Sequence, residues 1–308
     1  MAPTRVLVTG ANGFIGTHLT RRLSSLGLDV HAVARVPRES AHGEVWHVCD
    51  LRAGDAVEKL FTIARPEVVF HLASEVNGAR DRGVVLSTLE CNLLTTVNVL
   101  VAAAGGARVI MCGSSEEPRQ GNNFTPPPSP YAMAKWAATG YALQFNRLWG
   151  LPVTILRPTM VYGPGQWDTG KLVPYLTLAL LREEEPRLTS GAKLVDWVYV
   201  DDVVEAFVAA LRAEQAGAEI DIGTGTATSV RHTVELLFKV VGSLREPKFG
   251  TIPDRPLDLP QIADLSTADQ LGWRPKVGLE DGLRRTVEWY AAQLHSGNGT
   301  FPRADNVP

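Results

Sequence analysis

Short runs rich in β-branched residues alternate with longer segments of helical periodicity along most of this sequence. Such alternation is typical of βαβ units, in which helices cover both faces of a parallel sheet. The sequence therefore predicts an α/β fold with a doubly wound parallel sheet of about seven strands. The predicted strands are RVLVTG (5–10), DVHAVA (29–34), VWHVCD (45–50), VVFHLA (68–73), RVIMCG (108–113), VTILRP (153–158) and EIDIG (219–223).

The alternation breaks after residue 163, where glycine- and proline-rich turns and a charged stretch at 182–187 appear. We interpret these segments as a smaller C-terminal part laid over the carboxyl edge of the sheet, where ligands of such sheets bind. The predicted division is a cofactor-binding domain of residues 1–163 and 201–223, a substrate-binding part of residues 164–200 and 224–296, and a flexible tail of residues 297–308.

The composition excludes several classes of partner. The 308 residues are 45% hydrophobic with a net charge of −3, and the scattered Lys and Arg form no basic stripe for nucleic acid or for a membrane surface. No signal segment and no membrane span are expected. Cys49, Cys91 and Cys112 lack metal-ligand spacing, so we expect reduced thiols, a cytoplasmic protein and no metal site.

A glycine-rich turn follows the first strand directly. In TGANGFIG (9–16), Gly10, Gly13 and Gly16 recur every third residue before a helical segment. Glycine at such a turn lets the backbone approach a pyrophosphate, whose charge is met by free N–H groups at the helix N-terminus. The turn predicts a dinucleotide site and makes the predicted sheet Rossmann-like.

The end of the second strand indicates which dinucleotide is bound. An acidic residue at this place would accept hydrogen bonds from the ribose 2′-hydroxyl of NAD. This chain has Ala34 followed by Arg35 and Arg38, and guanidinium groups suit a 2′-phosphate. A solvated arginine is the alternative interpretation. The sequence favours NADP(H), with Asp50 placed to meet the adenine edge.

A second motif begins a long helix after the fifth strand. In SPYAMAK (129–135), Ser129 is suited to cap the helix and Pro130 to begin it, so Tyr131 and Lys135 share one face. A phenol has a pKa of about 10, and a nearby ammonium lowers it. The spacing would suit proton transfer by Tyr131 near neutral pH, but a lone Y-x-x-x-K often occurs by chance, and an exposed pair is its usual interpretation.

The glycine turn, the Tyr–Lys helix and a serine at the end of the fifth strand together resemble the extended short-chain dehydrogenase/reductase family, in its nucleotide-sugar branch. The resemblance covers nearly the whole chain. Its further blocks are DL (50–51), HLA (71–73), Asn92, RPTMVYGPG (157–165), DWVYVDDVVEAF (196–207) and LGWRP (271–275).

The resemblance implies roles for individual residues. Ser115 would hydrogen-bond the substrate oxygen, Tyr131 would transfer its proton, Lys135 would bind the nicotinamide ribose and tune Tyr131, and Asn92 would hold the proton path. The predicted substrate contacts are Ser114, Ser115, Lys193 and Arg255, the last matching the family's arginine for the substrate diphosphate. The predicted cofactor contacts are Gly10, Asn12, Gly13, Phe14, Ile15, Gly16, Arg35, Arg38, Asp50, Leu51, Leu72, Ala73, Asn92, Tyr131, Lys135 and Pro158.

The chain departs from the family at two places. Val195 stands where the family often has an arginine before the aspartate of the DWVYVDD block, so one diphosphate contact is missing or is replaced by Lys193. Pro118 and Arg119 stand where the family continues Val-Tyr-Gly or Tyr-Gly after the serine segment. The geometry of that loop therefore does not carry over from the family.

Two glutamates follow the serines in GSSEE (113–117). In the family's 4,6-dehydratases a Glu after the catalytic hydroxyl abstracts the C5 proton, and Glu117 matches that base in position. The same segment resembles a family 4-ketoreductase that uses NADPH. A solvated acidic loop is the structural alternative for Glu116 and Glu117.

Cofactor use favours one of these chemistries. A reductase consumes NADPH at each turnover, whereas an epimerase or a dehydratase typically keeps NAD bound. Because of Arg35, we expect NADPH-dependent reduction of the C4 ketone of an NDP-4-keto-6-deoxyhexose, in deoxysugar biosynthesis. The alternatives are a nucleotide-sugar 4,6-dehydratase or 4-epimerase with retained NAD(P), and a non-catalytic NADP-binding sensor on the same fold.

The long helix at 130–149 is apolar on more than one face, which predicts burial on two sides. Members of the family commonly dimerise through this helix and the one near 85–104. We therefore expect a homodimer.

Overall fold

The computed structural model describes residues 3–118, 126–213, 216–254, 260–296 and 301. The chain forms two compact units. The first unit comprises Met1–Pro158, Val204–Ile222 and Leu265–Trp273, and the second comprises Thr159–Val203, Gly223–Asp264 and Arg274–Pro308.

A sheet of seven parallel strands forms the centre of the first unit, as the sequence predicts. Its order from edge to edge is β10-β6-β5-β4-β1-β2-β3, with parallel pairing throughout. Every residue of β4 and β6 is buried, because helices cover both faces of such a sheet. The strands are β1 (Arg5–Thr9), β2 (Asp29–Ala34), β3 (Val45–Val48), β4 (Val68–His71), β5 (Arg108–Cys112), β6 (Val153–Pro158) and β10 (Ala218–Ile222).

Helices on the sheet faces bury the apolar sides of these strands. One core cluster joins Val69 and Ile155 of the sheet to Val57, Leu100 and Ala138 of the helices. The helices with residues in the first unit are α1 (Phe14–Ser25), α2 (Gly54–Ala64), α3 (Val85–Thr88), α4 (Thr95–Ala103), α5 (Pro130–Trp149), α7 (Val200–Arg212) and α9 (Leu265–Ala268).

A composite helix, Arg82–Ala103, precedes β5. It consists of a 3₁₀ turn, α3, a π-helical segment at Leu89–Leu94 and α4. Its 22 residues are long and apolar enough to cross a membrane by length and composition, which the sequence analysis did not expect. The helix packs Val99 and Leu100 into the core of the sheet, as a core helix of a globular domain does.

The carboxyl ends of β1, β4, β5 and β6 meet at one edge of the sheet. β1 and β4 are neighbours, and the strand order runs outward in opposite directions from this pair. In an open α/β sheet the crevice at such a switch point is the place where ligands bind. The residues that end these strands are Thr9, His71, Cys112 and Pro158.

The predicted domain boundaries differ from the observed units in one segment above all. The sequence analysis assigned residues 224–296 to the substrate-binding part, but Leu265–Trp273 belongs to the first unit. The cause is a contact with the last strand of the sheet: the backbone N–H of Asp221 donates to Thr267 Oγ1 at 2.8 Å, and α9 packs beside β10.

The described residues of the second unit form two short strand pairs and three longer helices. β7 pairs with β9 in parallel, and β8 pairs with β11 antiparallel. Buried Asp196 organises its loops, because its carboxylate accepts from Thr224 Oγ1 at 2.6 Å and from the backbone N–H of Ala263 at 3.1 Å. Its elements are β7 (Met160–Tyr162), α6 (Leu172–Leu181), β8 (Leu194–Val195), β9 (Trp197–Tyr199), β11 (Thr228–Ser229), α8 (Val230–Val241) and α10 (Leu279–His295).

One residue of the predicted tail is packed. Phe301 is 7% exposed and stacks on Trp167 with ring centroids 5.0 Å apart. Its carbonyl accepts from Arg182 Nη2 at 3.0 Å. The prediction of a flexible tail therefore does not hold at Phe301, and its other residues lie outside the described chain.

Candidate active site

The glycine turn after β1 is shaped for close backbone approach. Gly10 has φ of 66°, and a Cβ there would lie 2.7 Å from the backbone N of Ala73. A Cβ on Gly16 would overlap the carbonyl oxygen of Gly10. Neither position accepts a side chain without a backbone shift, so the spacing of the glycines reflects a steric requirement.

The start of α1 presents backbone donors at this turn. Gly13 is the N-cap of the helix and has no side chain that could accept a hydrogen bond from the N–H groups of the first turn. Asn12 and Gly13 are exposed, whereas Phe14 and Ile15 are half-buried. Uncapped N–H groups in an open cradle of glycines fit the pyrophosphate of a dinucleotide.

His71 links the glycine turn to the composite helix. Its Nδ1 lies 2.8 Å from Thr9 Oγ1, and its Nε2 lies 3.0 Å from Thr96 Oγ1. Thr9 Oγ1 in turn accepts from the backbone N–H groups of Leu72 and Ala73, both at 3.2 Å. Complete burial lowers the pKa of His71 to about 3, so the ring is neutral. The sequence analysis did not assign a role to this histidine.

Asn92 lies in the π-helical segment and is 1% exposed. Its Oδ1 accepts from Ser74 Oγ at 2.9 Å and from the backbone N–H of Glu75 at 2.7 Å. Its Nδ2 donates to the Glu75 carbonyl at 3.0 Å. The side chain thus holds the segment after β4, and its predicted part in a proton path stays a prediction.

The end of β2 is open to solvent beyond Ala34. Arg35 and Arg38 are exposed, as a contact with a bound phosphate would require. Arg52, which the sequence analysis missed, donates to Asp50 Oδ2 at 2.7 Å. The hydrogen bonds from Arg52, with a smaller effect of Arg35, lower the pKa of Asp50 to about 2. The carboxylate predicted to contact the adenine, that of Asp50, is therefore paired with Arg52. The next residue, Leu51, is buried.

The catalytic helix begins as predicted. Ser129 caps α5 by accepting from the backbone N–H of Ala132 at 3.1 Å, and Pro130 is the first helical residue. Tyr131 is 9% exposed and Lys135 is 4% exposed. Lys135 Nζ donates to the Cys112 carbonyl at 2.8 Å, which fixes the amine at the end of β5.

The phenol of Tyr131 has Ser114 as its hydrogen-bonding partner. Burial raises the pKa of Tyr131 and Cys112 adds to this effect, whereas the hydrogen bond with Ser114 lowers it. The sequence analysis gave the catalytic hydroxyl to Ser115 and only substrate binding to Ser114. The backbone N–H of Ser115 donates to the Pro158 carbonyl at 3.2 Å, which extends the pairing of β5 with β6 beyond Cys112. The catalytic role predicted for Ser115 stays a prediction, and Ser114 is the serine that acts on the phenol of Tyr131.

The two glutamates occupy different environments. Glu117 is 4% exposed, and its Oε1 accepts from the backbone N–H of Ser114 at 2.6 Å. Glu116 is half-buried, and its carboxylate acts on the phenol of Tyr131 by raising its pKa. A base that removes a proton from a sugar carbon has to reach that carbon. The bond to the backbone of Ser114 holds Glu117 inside the protein, and its predicted role as the C5 base stays a prediction.

The structure describes only some of the residues of the second unit that were considered as substrate contacts. Lys193 is exposed, and its carbonyl accepts from the backbone N–H of Val230 at 2.8 Å. Val195 is 6% exposed and pairs with Thr228 in the β8–β11 ladder. Arg255 and Arg119 lie outside the described residues, so their predicted effects stay predictions.

Comparisons with known proteins identify the family of this chain. A family model described as the NAD dependent epimerase/dehydratase family matches residues 6–223. The UDP-glucose 4-epimerase of Mycolicibacterium smegmatis is 32% identical over 93% of this chain and 98% of that protein.

Two solved structures are similar over most of both chains. The UDP-glucose 4-epimerase of Thermotoga maritima, solved with UDP-glucose, has a TM-score of 0.85 at 31% identity and covers 94% of this chain and 99% of its own. The enzyme MoeE5, solved with UDP-glucuronic acid and NAD, has a TM-score of 0.83 at 32% identity and covers 94% and 99%.

Proposed function

The chain belongs to the NAD dependent epimerase/dehydratase family, the extended short-chain dehydrogenases/reductases, and from that membership we propose that it is a nucleotide-sugar 4-epimerase that retains its nicotinamide cofactor. The sequence analysis preferred a C4-ketoreductase and held the epimerase as an alternative. The relatives support the alternative better, since the similar enzymes named above include two UDP-glucose 4-epimerases.

One observation carries the proposal. The buried Tyr131 phenol, whose pKa Ser114 lowers, lies one helical turn before buried Lys135, whose amine is held at the end of β5, at the same sheet edge as the glycine turn. This arrangement can move one proton to and from a hydroxyl oxygen. Glu117, which a 4,6-elimination would have used at C5, is turned inward. The site is therefore better suited to inversion at C4 than to loss of water.

The residues of the first unit fit a dinucleotide. The cradle of Gly10, Gly13 and Gly16 would hold the pyrophosphate, and Lys135 would contact the nicotinamide ribose, as the family resemblance implies. A bound nicotinamide supplies a carbon that accepts a hydride and gives it back. A 4-epimerase therefore leaves the redox state of its cofactor unchanged over one turnover.

The chain's own residues manage the proton. Tyr131 takes the proton of the sugar's C4 hydroxyl as that carbon is oxidised, and it returns a proton to the same oxygen when the carbon is reduced from the other face. Ser114 holds that oxygen. Since burial raises the pKa of Tyr131 and the Ser114 hydrogen bond opposes this, Ser114 makes the phenolate easier to form.

The cofactor form is a further part of the proposal. The end of β2 offers no carboxylate for a ribose 2′-hydroxyl, because Ala34 is followed by the exposed Arg35 and Arg38. We infer a preference for the 2′-phosphorylated dinucleotide, NADP(H), although MoeE5 was solved with NAD.

The homodimer is also a proposal. Apolar side chains stand exposed on the composite helix and on α5, the two helices that the sequence analysis named: Leu86 is 72% exposed, Met133 46%, Leu148 59% and Trp149 62%. Exposed apolar side chains on the two predicted interface helices favour such a contact. Sedimentation at micromolar concentration should give a dimer, and a monomer would contradict this part of the proposal.

A single experiment tests the activity. The pure protein is incubated with UDP-glucose, UDP-glucuronic acid and dTDP-glucose, each with NAD or NADP, and the products are identified by NMR. Inversion at C4 with no net change in reduced cofactor is expected for one of these sugars. Net consumption of NADPH on a 4-keto-6-deoxy sugar would instead restore the reductase hypothesis. Cofactor binding with no product from any sugar would support the non-catalytic sensor.

Glu116 keeps a second candidate function open, the 4,6-dehydratase. Its backbone N–H donates to Ser114 Oγ at 3.2 Å, and its half-buried carboxylate acts on the phenol of Tyr131. Both glutamates raise the pKa of Tyr131, and because Glu116 is the less buried of the two, we infer that Glu116 is the carboxylate that would exchange a proton with a substrate. With a C5-deuterated substrate, an epimerase retains the label. A dehydratase loses it, and this loss should disappear in Glu116→Gln.

A further inference from the structure

A chain of hydrogen bonds joins the glycine turn of the first unit to the composite helix. Its side chains are Thr9, His71 and Thr96, and each of them is at most 3% exposed. Thr9 Oγ1 lies 2.8 Å from His71 Nδ1, and Thr96 Oγ1 lies 3.0 Å from His71 Nε2. A hydroxyl and a neutral imidazole can each donate and accept, so the other partners of the two threonines decide the direction of these bonds.

The partners of Thr9 fix the first bond. Its Oγ1 accepts from the backbone N–H groups of Leu72 and Ala73, both at 3.2 Å. A hydroxyl oxygen has two lone pairs, so both are used and the hydroxyl proton is left for His71 Nδ1. Thr9 therefore donates to the ring, and Nδ1 is the nitrogen that carries no proton.

The partner of Thr96 fixes the second bond. Its Oγ1 donates to the backbone carbonyl of Asn92 at 2.6 Å, so the hydroxyl proton is already used. His71 Nε2 then has to supply the hydrogen of its own bond to Thr96 Oγ1. The ring thus carries its one proton on Nε2, and a second proton on Nδ1 would break the bond from Thr9. The pKa of His71, which burial lowers to about 3, agrees with this arrangement.

The chain also holds both halves of the segment that follows β4. At one end it fixes the backbone of residues 72–73, where a Cβ on Gly10 would lie 2.7 Å from a backbone nitrogen. At the other end the side chain of Asn92 holds residues 74–75, with Oδ1 accepting at 2.9 Å and 2.7 Å. The ring of His71 lies between these two attachments and connects them.

We propose that His71 is a positioning residue for the dinucleotide. As the Nε2–H tautomer it couples the composite helix to the glycine turn, and it thereby sets the backbone wall of the dinucleotide site. Thr96 acts on this wall through His71. The inference uses the dinucleotide binding of the family and does not depend on which sugar the enzyme converts.

NMR of the protein with nitrogen-15-labelled histidine, without any dinucleotide, tests the direction of the chain. Long-range proton–nitrogen correlations distinguish the two tautomers, and the His71 ring is identified by its proximity to the methyl group of Thr96. The ring should carry a proton on Nε2 and none on Nδ1 throughout the pH range in which exposed histidines titrate. A proton on Nδ1 would reverse both bonds and overturn the proposal.

Thr96→Val tests the coupling, because the substitution keeps the shape of the side chain and removes its hydroxyl. His71 Nε2 then loses its acceptor and the wall of the site is less firmly held. Dinucleotide affinity should fall by about tenfold, the upper range for one hydrogen bond, as calorimetry with NADPH and with NADH would measure. Thr96→Ser keeps the hydroxyl and should largely restore the affinity.

Thr95→Val is the matched control. Thr95 is the adjacent buried threonine of α4, and its Oγ1 donates to the Cys91 carbonyl at 2.8 Å, as Thr96 Oγ1 does to Asn92. Each substitution removes one such bond and should lower the stability to chemical denaturation to a similar extent. Thr96→Val in addition breaks the contact with His71. A purely structural role predicts the same dinucleotide affinity in both variants, and this result would overturn the proposal.

A second pair of variants keeps the test decisive if Thr96→Val does not fold. Thr96→Cys and Thr95→Cys then replace the valine variants, because a thiol is only a weak acceptor. The same difference in affinity is expected, and its absence contradicts the coupling. Neither measurement uses a sugar, so a failure of the proposed 4-epimerase activity is distinguishable from a failure of this inference.

Discussion

The glycine turn after β1 and the serine–glutamate segment after β5 lie at the same edge of one sheet, but different physical constraints shape them. At the turn, the backbone itself forms the site, and a Cβ on Gly10 or Gly16 would collide with neighbouring backbone atoms. In the segment, side chains form the site, and their roles depend on whether each one points inward or toward the ligand edge.

This difference explains why the sequence constrains the residues of one region more tightly than those of the other. A steric requirement for glycine leaves its mark in the spacing of residue types. The direction of a side chain after a strand end leaves no such mark, because a shift of one residue exchanges Ser114 with Ser115 and Glu116 with Glu117. A motif that resembles a family block predicts which residue types take part in the reaction. It does not predict which of two neighbouring residues faces the ligand.

Tyr131→Phe should have the largest effect of the substitutions considered. The result would show that the reaction depends on the phenol that faces the segment and not on the glycine turn. The substitution removes the transferable proton and leaves the packing nearly unchanged, so turnover should fall by about 10²–10⁴-fold. Dinucleotide affinity should stay the same, as calorimetry would measure. Tyr141→Phe, at an exposed tyrosine of the same helix, is the control and should keep its rate. A Tyr131→Phe enzyme that kept most of its rate would remove the phenol from the mechanism.

A matched pair, Ser114→Ala and Ser115→Ala, tests the register of the segment. Loss of the hydroxyl that bonds to the phenol should lower kcat by about 10²–10³-fold, the effect of removing one donor to the reacting oxygen. Ser115→Ala keeps the backbone bond to Pro158 and should have a much smaller effect. The reverse order of effects in steady-state kinetics would return the catalytic role to Ser115.

The sequence predicts most of the first unit. All seven strands form where the β-branched runs lie, because a strand buried on both faces has to be apolar along its length. The start of α5 follows from Ser129 and Pro130 for equally local reasons. Leu265–Trp273 could not be assigned in the same way, since its return to the first unit depends on the contact between Thr267 and Asp221, far apart in the chain.

The residues of the active site were also predictable only where local sequence determines their position. Tyr131 and Lys135 are recognisable because their spacing places them on one helix face. His71 is not, because its function as a neutral link between Thr9 and Thr96 depends on two strands and a helix coming together. The burial of Glu117 likewise follows from the absence of a side chain on Gly113 and from the position of α5.

Gly16→Ala should disturb the turn and leave the segment intact. The added methyl would overlap the carbonyl oxygen of Gly10, so the backbone has to shift at a cost of about 1–3 kcal/mol in the free energy of unfolding. Chemical denaturation measures this loss, and dinucleotide affinity should fall with it. Gly78→Ala is the control, because a Cβ there meets nothing within 4 Å and both quantities should stay unchanged. A Gly16→Ala protein of wild-type stability and affinity would show that the turn tolerates a side chain.

Arg35→Ala should have the smallest effect of the substitutions considered. It tests whether a side chain next to the glycine turn adds cofactor specificity to a site that is formed mainly by backbone atoms. Arg35 is exposed, so its bond to a 2′-phosphate should contribute about 1.5 kcal/mol, the lower end for a charged hydrogen bond. Calorimetry should therefore show a roughly tenfold loss of NADPH affinity and no change for NADH. Arg21→Ala is the control. It removes the same charge from an exposed position on α1 and should leave the affinities for NADPH and NADH unchanged. If the unmodified protein binds NADH as tightly as NADPH, the arginines after β2 do not select the cofactor, and the cofactor site is defined by its backbone alone.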